Sequence, residues 1–264
     1  METNAEKHIK VCEARSYARC IALGLSTAAD HAGVVLCHIW PSVLLSILLP
    51  FPGLIIFAGQ LNRLLGEWRE LDYVPRRKAL DGWRRDLACT GRALASCMLA
   101  VVAIALVAGC AWLAWQLLPH GKWAGLATLA ILTLALLPLA MTQMEIEYSD
   151  KRIGLCLPGC LKGYRHYGSV LAYELLLCML TALVILLGAL PSETIALAMY
   201  KAWEATRAGD NVTMTPALQL AAVAAYIIAI LATLLAIAVT AFCDILFWGS
   251  IQAREEEKRE DRQG

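Results

Sequence analysis

The chain has 264 residues, of which 59% are hydrophobic and 17% charged, and its mean hydropathy is +0.59. An ordinary soluble domain is about a quarter charged, so the main solvent of this chain is lipid. A formal net charge of +1 gives no field that would gather nucleic acid, and that partner class is excluded.

Residues 1–19 mix Glu2, Glu6, Lys7, Lys10, Glu13 and Arg15. They hold no short apolar core followed by small residues at a cleavage site, so no cleaved signal is expected. The first apolar stretch then acts as an uncleaved anchor and leaves the N-terminus in the cytoplasm. That stretch, 34–58, is interrupted by Pro50, Phe51, Pro52 and Gly53, which read as a turn. It is either one kinked span or a tight hairpin. Beyond Ala58 the second arm meets Gln60, Asn62, Arg63 and Glu67, while Leu61, Leu64, Leu65, Trp68 and Leu71 continue an apolar stripe at helical spacing. This arm crosses with a polar face turned to its neighbours, or inserts only in part.

Four further runs, 94–118, 123–143, 169–190 and 217–248, each meet the roughly 20 apolar residues that a helix needs to cross a bilayer. Of the 23 Lys and Arg residues, only Lys122, Lys201 and Arg207 lie outside four basic stretches, which sit at the N-terminus, at 63–92, at 151–165 and at 254–262. Basic segments stay on the cytoplasmic side. A hairpin at 34–72 puts all four stretches on one face, whereas a single span moves Lys7, Lys10, Arg15 and Arg19 to the other, so the hairpin is favoured. The expectation is an all-α, polytopic membrane bundle of about six transmembrane helices arranged as three hairpins. A short amphipathic interfacial helix precedes each, at 14–30, 77–90 and 155–167. Residues 1–30 form a cytoplasmic segment, 31–250 the transmembrane domain and 251–264 a charged cytoplasmic tail.

An internal repeat supports that plan. His31-Ala-Gly33-Val-Val35-Leu36 aligns with Cys89-Thr-Gly91-Arg-Ala93-Leu94 and with His166-Tyr-Gly168-Ser-Val170-Leu171, and Glu70-Leu-Asp72-Tyr73 aligns with Glu145-Ile-Glu147-Tyr148. The units run over about 14–73, 74–148 and 149–248. The outer tips are then 50–53, 119–122 and a longer loop, 191–216, which carries the glycosylation triplet Asn211-Val-Thr213.

Ionisable residues inside a membrane mark function by default. His38, Glu174 and Asp244 qualify, and all fall near the cytoplasmic ends of their spans rather than at the midplane where ion-coupled carriers keep their sites. Together with Tyr173 they are the candidate inner-leaflet site for a partner or a lipid headgroup; the competing reading is that each snorkels to water or a neighbouring Arg. The repeated acidic pairs, at spacing i, i+2, point to different helix faces and suit local ion pairs better than paired acid and base work. The ten cysteines contain no Cys-x-x-Cys pair, and only His166 lies near Cys156 and Cys160, so they read as packing residues and no metal is expected. Ala221, Ala225, Ala229, Ala232 and Ala236 form a small-residue stripe that lets a neighbouring helix approach.

No Gly-rich phosphate loop, His-Glu-x-x-His, Gly-x-Ser-x-Gly or Ser-x-x-Lys pattern is present. No cofactor is expected. The sequence points to a non-enzymatic multi-pass protein of a bacterial plasma membrane, with both ends cytoplasmic. Its partners would be the lipid bilayer and a membrane or cytoplasmic protein, or lipid headgroups, met at the cytoplasmic face. A small permease or channel is the second reading, and a membrane-bound lipid-modifying enzyme the third.

Overall fold

The computed structural model describes residues 9–75, 83–117, 121–149, 151–156, 158–208 and 215–261. Among them every regular element is a helix: α1 (Tyr17–Asp30), α2 (Ala32–Leu48), α3 (Pro50–Leu71), α4 (Trp83–Leu117), α5 (Gly121–Leu136), α6 (Leu139–Tyr148), α7 (Gly159–Arg165), α8 (Tyr167–Arg207) and α9 (Pro216–Glu260), with one 3-10 turn at Ile153–Leu155. An all-helical membrane protein is therefore what the chain forms. Three helices, α4, α8 and α9, are long and apolar enough to cross a bilayer alone. The count rises to five if α1 with α2, bent by 74°, and α5 with α6, bent by 41°, are each one span. The helix α3 does not qualify, because its second half is polar.

Three antiparallel pairs, α2 with α3, α4 with α5 and α8 with α9, form the hairpins. The first reverses at a single residue, Leu49 (φ −135°, ψ 86°), and Pro50 opens α3 with the fixed φ that suits a first helical position. Only glycine fits at position 53, since a Cβ there would overlap the backbone of Ser46 across the pair. In the third hairpin Gly188 faces Ala232 at the same kind of close approach, so the alanine stripe packs within the pair.

The shared core is centred on the basic end of the molecule and runs from there along α2, α8 and α9 to Ile39, Leu177 and Leu234. Leu61, Leu64, Leu65 and Trp68 of α3 are fully buried against Phe242, Ile245 and Leu246 of α9 and Met141 of α6, while Leu71 is exposed. Trp68 and Phe242 rings lie 5.6 Å apart. The apolar windows of α4, α8 and α9 are buried by only 11%, 17% and 22% within the chain. Their remaining surface is the lipid-facing area that the composition requires.

Several details differ from the sequence expectation. Of the three interfacial segments, the first is α1, which does not lie apart but packs along the end of α9. Gly24 sits on Cys243, the Cys20 thiol points to Leu246 O, and Ser250 Oγ accepts from Arg15 N (2.8 Å) and donates to Arg15 O (2.9 Å). The second lies partly outside the described residues, and 83–90 are simply the first turns of the continuous α4. The third is the short α7, which packs on α6 through Gly159 and Gly163. The segment 191–216, expected as a loop on the outer side, is helical through Arg207, since α8 passes through Pro191. Proline removes only one hydrogen bond there, the Ser192 and Thr194 hydroxyls bond Ala189 O and Pro191 O, and 195–206 are mostly good helix formers. The glycosylation triplet lies outside the described residues.

Candidate functional site

Two of the four sequence-selected residues meet directly. Tyr173 of α8 is fully buried, donates its phenol to Asp244 Oδ1 of α9 (2.6 Å), and stacks on Phe247 with ring centroids 4.0 Å apart and planes within 1°. Glu174 is the next residue of α8 after Tyr173. A hydrogen bond and a stacked ring fix Asp244 at one end of the α8–α9 seam, so this cluster is built rather than incidental.

His38 lies elsewhere. It is 1% exposed, on the face of α2 that meets α3, and with Ser42 and Ser46 it makes a buried polar stripe at i, i+4, i+8. The Ser42 hydroxyl donates to Gln60 Oε1 (2.8 Å), and Ser46 donates to Ser42 O (2.7 Å). The stripe was missed because two serines in an apolar run read as ordinary small residues, although their spacing was visible.

The acidic pairs divide as i, i+2 spacing requires. Glu145 faces α7 and α9, where Lys162 Nζ and Gln252 Nε2 (2.8 Å) donate to it and Lys151 Nζ lies at 3.7 Å. Glu147 faces the other way, toward Asn62 of α3 and Ser96 of α4. In the first copy Asp72 is instead the left-handed cap of α3 (φ 57°). Glu145 and Glu147 are thus separate ties that hold α6 to different neighbours.

Those ties border two polar clefts at the basic end. One, of about 460 Å³, is lined by Arg69, Glu145, Lys151, Lys162, Trp248 and Arg259 among others. The second, of about 400 Å³, is lined by Arg63, Arg69, Arg85, Arg92, Glu67 and Glu147 among others. Arg69 and Ser149 belong to both walls. The Arg69 guanidinium lies 5.8 Å from the centre of the Trp248 ring and donates to Tyr148 O. Arg92 donates to Ser149 O and to Lys151 O (3.0 Å), which closes the rim between α4 and the chain after α6.

Beside the second cleft Arg63 Nη1 donates to Asp86 Oδ1 (2.7 Å), and its Nε to Glu67 Oε1 (3.2 Å). Beside the first, His166 Nε2 lies 2.9 Å from Glu255 Oε1, and Arg165 Nη1 lies 3.3 Å from Glu255 Oε2. Sequence reasoning placed Arg63 and Glu67 on a polar helix face and weighed His166 only beside Cys156 and Cys160 and in the repeat; it paired none of these residues. The one local signal was the i, i+4 pair of Arg63 and Glu67; the contacts with Asp86, Gln252 and Glu255 come from distant parts of the chain. Among the described residues no group of three or more His, Cys, Asp or Glu side chains is placed to hold a metal ion.

Comparison with protein-family models, with curated proteins and with solved structures finds no match.

Proposed function

We propose that this is a non-enzymatic integral membrane protein whose cytoplasmic end captures anionic lipid headgroups. The observation that carries the reading is the pair of clefts that share Arg69. Each is lined by four Lys or Arg side chains and three carboxylates, so cations exceed anions by one in each cleft. A phosphate entering either cleft meets donors whose own positions are fixed by backbone carbonyls, and Arg is the side chain best suited to a two-point grip on phosphate. The Tyr173, Glu174 and Asp244 cluster lines neither cleft. Its role in this reading is to hold the α8–α9 seam behind the first one. The low burial of the three long spans supports a chain that does not wall in a transport path by itself. Location in a plasma membrane, with the basic stretches cytoplasmic, belongs to the same proposal.

The test compares fluorescent phosphatidylglycerol with fluorescent phosphatidylcholine binding to the purified protein in micelles. The expected result is a preference for the anionic lipid that falls roughly tenfold in Arg69→Gln/Lys162→Gln, the loss of one good charged contact pair, and weakens as salt rises. Equal binding of both lipids by the native chain rejects headgroup capture. Retention of a soluble protein at these clefts, with no lipid preference, would replace it with the protein-partner reading.

A further inference from the structure

The first hairpin is too short to reach the far side of a membrane. The helix α2 has 17 residues, about 25 Å of rise, and the 74° bend at His31 keeps α1 from extending it in line. On the return arm only 50–59 are apolar before Gln60, Asn62 and Arg63, about 15 Å against a hydrocarbon layer of about 30 Å.

Its neighbours act as two independent rulers. Arg63 is bonded to Asp86, and Gly59 packs on Thr90, so α3 and α4 run antiparallel residue for residue. Continued to the turn, that register brings Pro50 level with about residue 99 of α4, which still has about 27 Å to run before Leu117. On the other side the Tyr226 hydroxyl of α9 donates to Ile47 O (3.1 Å). From Tyr226 the helix continues for about 15 Å before its start at Pro216.

The chemistry of the turn agrees. Leu48 and Phe51 are 77% and 81% exposed, and between His38 and Gln60 the only polar side chains are Ser42 and Ser46, both buried against α3. Backbone groups in hydrocarbon must be satisfied internally. Pro50 and Pro52 have no N–H to leave unpaired at the start of α3, Gly53 N donates to Leu49 O (2.9 Å), Leu49 N donates to Leu45 O (2.7 Å), and Tyr226 covers Ile47 O. The α4–α5 hairpin is flanked differently, by exposed Trp112, Trp115 and Trp123 and by Lys122, the residues of a membrane–water boundary. One residue opposes the reading: exposed Glu193 of α8 falls near the level of Tyr226. If that level were the far surface, however, the apolar stretch 101–117 of α4, with exposed Val101, Val102, Ile104 and Leu106, would stand in water, and this outweighs one carboxylate.

We infer that α2–α3 is a re-entrant hairpin, whose tip residues Leu48, Leu49 and Phe51 contact the acyl chains of the leaflet on the Lys- and Arg-rich side and stop short of the opposite surface. The crossings are then α4, α5 with α6, α8 and α9. Both chain ends stay on one side, and the headgroup reading is not needed for this one.

The test places single cysteines at Phe51→Cys and Lys122→Cys in a chain whose native cysteines are replaced, reconstituted in phosphatidylcholine and phosphatidylglycerol vesicles. Lys122→Cys should react with a membrane-impermeant maleimide from one side only. Phe51→Cys should react from neither, and a fluorophore attached to it before reconstitution should be quenched most by lipids labelled deep in the acyl chain. Reaction of Phe51→Cys from the same side as Lys122→Cys overturns the inference. If the cysteine-free chain fails to assemble, Phe51→Arg and Trp123→Arg in the native background decide it. The first should cut assembled protein roughly tenfold and the second little, following the cost of a charge in hydrocarbon against the interface; equal tolerance overturns the inference.

Discussion

Replacing Arg63 by Met should destabilise the chain more than any single change to the carboxylates it holds. The Arg63 side chain is 3% exposed and bridges Asp86 (2.7 Å, side chain 10% exposed) and Glu67 (3.2 Å, side chain 12% exposed). Breaking a buried ion pair by removing one partner costs about 3–5 kcal/mol, because the remaining charge stays desolvated. Arg63→Met leaves two such carboxylates facing each other and belongs at the upper end, about 4–5 kcal/mol. Asp86→Asn leaves Arg63 with Glu67 and an amide oxygen that still accepts, so about 1–3 kcal/mol is expected. The double variant Arg63→Met/Asp86→Asn should recover about 1–3 kcal/mol relative to the sum of the two, because it removes a stranded charge. Reversible unfolding in mixed micelles, followed by near-ultraviolet circular dichroism, measures all three. Equal losses in the two single variants, or strict additivity in the double, would refute the view that this pair is a buried tie between α3 and α4.

Gly24→Val should detach α1, since an added Cβ would lie 2.6 Å from Cys243 Sγ and 2.8 Å from its Cα. Overpacking of this kind costs about 1–3 kcal/mol or more, and faster hydrogen exchange confined to 17–30 is the expected sign. Tyr173→Phe keeps the stack on Phe247 but deletes the 2.6 Å bond to Asp244; a loss of about 1–3 kcal/mol is expected in the same unfolding assay, and an unchanged midpoint would mean the bond contributes nothing. Cys12, in the wall of the first cleft, should label more slowly than a free cysteine at neutral pH. Partial burial pushes its thiol above the ordinary value, against the opposing pull of Arg69, so its maleimide rate should keep rising at pH values where a free cysteine has levelled off. Arg69→Gln should then slow it further.

Periodicity and charge were enough to read the helical class and the three reversals, because a span's hydrophobicity is a local property of some twenty residues. Leu61, Leu64, Leu65 and Trp68 were legible as a packed stripe for the same reason. The repeat was only partly informative. His31 and His166 both stand at breaks between helices, with φ near −105° and −113°, yet Cys89 in the second unit lies inside an unbroken α4. The aligned glycines Gly33, Gly91 and Gly168 all have open space where a side chain would point, so their recurrence answers no packing demand. The clefts were not legible, since Arg69, Lys162, Gln252 and Glu255 acquire meaning only when α3, α6, α7 and α9 converge. Hydropathy treats each as one more charge. Pro191 misled in the opposite direction, because a proline in a polar stretch signals a loop unless the residues around it favour continuing the helix.

The clasp between Arg15 and Ser250 joins positions 235 apart in the chain. During synthesis, at about 5–20 residues per second, the opening segment must therefore wait on the order of 10–50 s for the surface that will receive it. Until then the groove-facing side of α1, with Cys20, Ile21 and Gly24, has no permanent cover. Of the described helices α9 leaves the ribosome after the others and closes the fold, so a truncation within it should be felt first at α1.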